Sequence, residues 1–171
     1  MDAHQLKQQA KQLPRVDVLL QEFEDSWGER SSQFSALMSA SRDVAFAQTV
    51  NEKLTSLAHH VVDLKIARAL NDTKKAQQII QSVIRDPHSS LKQLADEVPH
   101  IESQILLFCS SYEYMIDEMC RHAPLEQNVT LLEGKHAEVI KRLRDVPAKQ
   151  KACLALIGKH FVETAREMKQ K

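Results

Sequence analysis

Glycine is nearly missing from this chain: there are three in 171 residues, against roughly 7% in an average protein. β-rich and α/β folds need glycine wherever the backbone turns left-handed or passes close to a phosphate. Neither G-x-x-x-x-G-K-[ST] nor G-x-G-x-x-G occurs, so phosphate loops of either kind are excluded. Aromatic residues make up only 5%, few for a chain that stacks nucleobases or grips a flat cofactor. Cysteine is scarce too. Cys109, Cys120 and Cys153 are odd in number and form no C-x-x-C pair. Cys109 and Cys120 lie about three helical turns apart, too far to bond along one straight helix. All three read as reduced, apolar core residues of a cytoplasmic protein. No charge of one sign prevails, since 23 basic residues meet 23 acidic ones for a net charge of zero. That balance gives the chain as a whole no pull toward polyanions. Long apolar runs are lacking as well: the strongest, Ile105 to Phe108, is far too short to span a bilayer, and MDAHQLKQQAKQL lacks the apolar core of a signal peptide. No G-x-S-x-G or comparable nucleophile motif occurs.

What remains is helix. Alanine, lysine, glutamine and glutamate, all good helix formers, fill the positions between apolar residues. The apolar residues themselves keep a spacing that alternates between three and four. Ala47, Val50, Leu54, Leu57, Val61 and Leu64 follow it, as do Ile101, Ile105, Phe108, Tyr112, Met115 and Met119. Leu125, Val129, Leu132, His136, Val139, Leu143 and Val146 form a third row, and Leu154, Ile157, Phe161, Thr164 and Met168 a fourth. An average of 3.5 is the period of helices packed side by side at a shallow angle. Leu106, Ile116, Ile140 and Leu156 widen these stripes only in part. The fold expected is all-α: an elongated bundle of about six helices with coiled-coil-like, 3-4 spaced packing.

Few residues break the helices. Pro14 opens one, Gly28 followed by Ser31 stops one and caps the next, and Asn71-Asp72-Thr73 caps a helix running to Arg85. Ser89 or Ser90 caps a short segment ended by Pro99, and Pro124 and Pro147 divide the remainder, because a residue before proline is driven from helical geometry. The organisation expected is a single helical domain over 1–171, with a mobile N-terminal arm at 1–13 and an antiparallel three-helix segment over 100–171.

Two patterns could carry chemistry. Glu133 and His136 stand one turn apart, as in the Glu-x-x-His pairs of di-iron and di-manganese bundles. The second copy such a centre requires, Glu97 to His100, is interrupted by Pro99, and Gly134 weakens the helix where a site must be firm. His136 is instead expected to be a hydrogen-bonded histidine of the interior. His59, His60 and Asp63 flank the seam of Val61 and Leu64 and read as boundary residues, and Glu118 with His122 as an ordinary helical pair. No catalytic residue, cofactor or metal ligand is assigned, and the chain is not expected to be an enzyme.

Charge is unevenly distributed even so. Ile101 to Gly134 carries six acids against one base, a net −5, whereas Lys135 to Lys171 carries ten bases against four acids, a net +6. Either an acidic helix lies beside a basic one, or Lys141, Arg142, Arg144, Lys149 and Lys151 form a patch for an acidic partner. Trp27, the sole tryptophan, is either a core residue or an interface anchor. The function expected is a non-enzymatic interaction subunit, a scaffold or adaptor working by helix–helix seams, with Trp27 and these five basic residues as its candidate contacts. Its partners are other protein subunits, in a homodimer or a hetero-complex. No small-molecule substrate, nucleic acid or membrane span is expected, and the site of action is the cytoplasm. The alternatives are a secretion-type chaperone or regulatory adaptor that holds a partner helix, and a carboxylate–histidine di-metal enzyme built on Glu133 and His136.

Overall fold

The computed structural model describes residues 3–27, 35–86, 90–122 and 135–169. They form α1 (Ala3–Lys11), α2 (Val16–Trp27), α3 (Ser35–Ala69), α4 (Thr73–Arg85), α5 (Leu91–His122) and α6 (Lys135–Lys169). The helices pack as a bundle, with no strand among the described residues, so the class is all-α.

Local chemistry explains the helix ends. Asn71 has φ 57°, in the left-handed region, which asparagine tolerates better than most side chains. Around it, the Asn71 N–H donates to the Arg68 carbonyl at 3.0 Å and the Asp72 N–H to the Ala67 carbonyl at 2.9 Å. These two bonds are a Schellman stop, and they satisfy carbonyls that α3 would otherwise leave bare. Asp72 then starts α4, its Oδ1 accepting from the Lys75 N–H at 3.1 Å. Ser90 does the same for α5, its Oγ accepting from the Gln93 N–H at 3.1 Å. The expected cap and Arg85 end of α4 are both found.

Two expected breaks are not. Pro99 lies inside α5 and Pro147 inside α6, so the segment expected to end at Pro99 runs on to His122. Residues 135–169, expected to be parts of two helices of a three-helix segment, are one. An interior proline costs about 3 kcal/mol or more through its lost N–H and ring clash. Full burial of one large aliphatic side chain returns about 1.5–3 kcal/mol. Leu94, Val98, Ile101 and Ile105 flank Pro99 and are all at most 1% exposed. Leu143, Val146, Cys153 and Ile157 flank Pro147 and are fully buried. Burial on both sides therefore outweighs the proline. The buried rows continue across it in the same rhythm: 94, 98, 101, 105, 108, 112 in α5, and 139, 143, 146, 150, 153, 157, 160, 164 in α6. In α6 the row takes in Gln150, Cys153 and His160, whereas the expected members Leu154 and Met168 are only half-buried.

The contacts divide into two compact units. Unit 1 comprises Met1–Leu13, Thr49–Pro99 and Ala148–Lys171, and unit 2 comprises Pro14–Gln48 and His100–Pro147. In unit 1, α1, from the arm at 1–13, buries Leu6 and Ala10. Here α3 and α6 run parallel, as three polar contacts with nearly constant offset show. Gln150 Nε2 donates to Asn51 Oδ1 at 2.8 Å, Lys65 Nζ lies 2.5 Å from His160 Nδ1, and Arg68 pairs with Glu167 at 2.5 Å. Lys53 Nζ reaches both Glu97 oxygens, at 3.0 and 3.2 Å, joining α3 to α5. In unit 2, the Phe23 ring meets the rings of Phe108 and Tyr112 edge-on, each centroid pair 5.4 Å apart. The Val16 N–H, an orphan donor at the start of α2, is taken by Gln48 Oε1 of α3 at 2.8 Å.

Candidate functional site

Within unit 2, α5 carries two different faces. Ile101, Ile105, Phe108, Cys109 and Tyr112 are buried. On the other side Leu106, Leu107 and Tyr114 are 48%, 61% and 69% exposed. Leu107 and Tyr114 are seven residues apart, two helical turns, so they fall on one line. Ser103 and Ser110 share that line with them at alternating steps of four and three, and both are exposed. An exposed large apolar residue is ordinary when single. Two at heptad spacing, on a helix whose inner face is buried, make an exposed apolar line on unit 2. The sequence placed Leu106 in the inner stripe and passed over Leu107 and Tyr114. The seven-residue step between the last two was the signal available.

The basic candidates fall in both units. Lys141, Arg142 and Arg144 are exposed in unit 2, and Lys149 and Lys151 are exposed in unit 1. Arg144 pairs with Glu113 of α5, and Arg142 pairs with Glu138 one turn back at 3.1 Å. The acidic α5 and the basic α6 are thus matched to each other at Arg144 and Glu113. Both pairs are about half exposed, where such contacts contribute about 0.2–1 kcal/mol each. Trp27 closes α2, and its side chain lies outside the described residues.

Glu133 and the His136 side chain lie outside the described residues as well. Glu97 and His100 share α5 after all, because the helix continues through Pro99. Both oxygens of the Glu97 carboxylate are engaged by Lys53, however, and Oε1 also accepts from Gln93 Nε2 at 3.1 Å. The carboxylate and the ammonium are each less than 20% exposed, so this is a structural ion pair. No group of three or more potential metal-binding side chains clusters among the described residues. Cys109 and Cys153 are free thiols in the core, each pushed up to about 11 by burial. Thiols so protonated are poor nucleophiles. A shallow cleft of about 80 Å³ in unit 1, lined by Ala67, Arg68, Asn71, Asp72, Thr73, Ala76 and Met168, has room for a few water molecules. No helix among the described residues is long and apolar enough to cross a membrane. Compared with protein-family models, curated proteins and solved structures, the chain finds no match in any of the three.

Proposed function

We propose that the chain is a non-enzymatic, cytoplasmic interaction subunit, a scaffold or adaptor that joins other proteins by coiled-coil-like packing of helices. One observation carries this reading: the exposed line of Leu107 and Tyr114, with Leu106 beside it, on a helix whose opposite face is buried. Fully burying a side chain of this size supplies about 1.5–3 kcal/mol, so covering these three, about half to two-thirds exposed, supplies about 3–5 kcal/mol. Association costs about 4–15 kcal/mol in lost translation and rotation, so the partner must engage more of the surface than these three positions. An amphipathic helix with its own apolar residues every seven positions fits that demand, its large side chains entering the spaces above Ser103 and Ser110. In this reading Lys141, exposed in unit 2 where Arg142 and Arg144 are ion-paired within the chain, selects an acidic flank on the partner, Lys149 and Lys151 offer a separate basic surface on unit 1, and Trp27 is a further anchor.

The test uses tagged chain isolated from its native cell, its mass measured by light scattering. The account expects an assembly heavier than the 19.5 kDa chain. Leu107→Glu with Tyr114→Glu should release the monomer without loss of helix content. Wild-type protein isolated as a 19.5 kDa species would overturn the proposal, and a fixed stoichiometry separates a permanent subunit from a transient adaptor.

A further inference from the structure

Unit 1 buries a histidine at the contact between two of its helices. His160 is 2% exposed, and its Nδ1 lies 2.5 Å from Lys65 Nζ on α3. An ammonium donates and has no lone pair to offer, so Nδ1 must accept, and the neutral ring carries its proton on Nε2. That Nε2 is buried and has no hydrogen-bond partner. The charged groups around the ring are Lys65 in direct contact, and Lys159 and Glu163 on α6. Arg68, one turn beyond Lys65, is held by Glu167. Burial first, and Lys65 second, keep His160 below the ordinary histidine range, with Glu163 opposing them.

We propose that the Lys65–His160 contact is a proton-operated latch that holds the C-terminal part of α6 against α3. With His160 neutral the contact is a hydrogen bond between a cation and a lone pair. Once His160 takes up a proton the lone pair is gone and two cations face each other across the seam, which favours separation of α6 from α3 at this contact. The stabilisation is therefore present above about pH 6.5, the value of an unfolded histidine, and is lost as the pH falls through that value toward the lower folded one. Nearer the start of unit 1's share of α6, the Asn51–Gln150 bond contains no titratable group and holds. Opening is thus confined to the part of α6 beyond it.

Two measurements on the full chain test this: NMR titration of the His160 ring, and amide exchange along α6 at pH about 7.5 and about 5.5, corrected for intrinsic rates. The ring should titrate below about 6.5. Amides of 157–168 should lose protection on acidification while those of 139–146, in unit 2, keep theirs. Lys65→Met should move the ring's midpoint upward and reduce the acid-induced loss, and His160→Gln should abolish that loss, because its amide oxygen accepts from Lys65 at either pH. Equal protection at both pH values, a wild-type midpoint at or above about 6.5, or an acid-induced loss unchanged in the variants would overturn the latch. Should His160→Gln fail to fold, the direction of the Lys65→Met shift decides the matter alone.

Discussion

Replacing Asn51 and Gln150 by leucine, singly and together, asks what a polar pair is doing inside unit 1. Asn51 is 3% exposed and Gln150 fully buried, and the amide of one donates to the other at 2.8 Å. A hydrogen bond of this kind contributes about 1 kcal/mol net, but removing one partner also leaves the other to bear a desolvation cost of about 1–3 kcal/mol. Asn51→Leu and Gln150→Leu should therefore each destabilise by about 2 kcal/mol. In the double variant both amides are gone and the apolar side chains meet each other, so it should lie within about 1 kcal/mol of wild type. The coupling between the two sites is then about −3 kcal/mol, at the upper end of what directly touching residues show. Urea unfolding followed by circular dichroism reads this. With a slope near 2 kcal/mol per molar, each single change lowers the midpoint by about 1 M and the double restores most of it. Additive losses, with the double near 4 kcal/mol, would refute the claim that the two side chains are coupled through this hydrogen bond.

Two further outcomes concern the backbone. Asn71→Ala should cost about 1 kcal/mol in the same assay, because alanine at φ 57° has no amide to ease a left-handed turn, whereas Asn71→Gly should match or exceed wild type. Pro99→Ala should raise stability by about 1–3 kcal/mol, since α5 already runs through an exposed Pro99 and alanine returns the missing N–H. A Pro99→Ala variant that loses helix content would refute the account of why α5 continues.

The helical class was legible because the chain's apolar rows are long and its glycines few. Val50, Leu54, Leu57, Val61 and Leu64 are all fully buried, as the spacing required, and so are Ile101, Ile105 and Phe108. Asp72 and Ser90 cap the helices they were expected to cap. Where structure and sequence differ, packing overrules local chemistry. Pro99 and Pro147 are helix breakers by propensity, but burial on both sides carries α5 and α6 through them. Part of the α6 row was hidden because Gln150 and His160 are polar letters at interior positions, and only their neighbours in space reveal that they belong there, whereas Thr164 was placed in the row by its spacing and is buried. For the candidate surface, Lys141 to Arg144 stood out as charge, yet Arg144 turns to Glu113. Leu107 and Tyr114 did not stand out, because an apolar residue pointing outward has the same letter as one pointing in.

A photo-activated cross-linking residue at position 107 or 114, introduced into the chain in its native cell, puts the outward line of α5 to the most direct test. Position 63, exposed on α3, serves as the control. The account predicts a discrete cross-linked protein band from 107 and 114 and none from 63. Identical yields from all three positions, or no product from any, would contradict it.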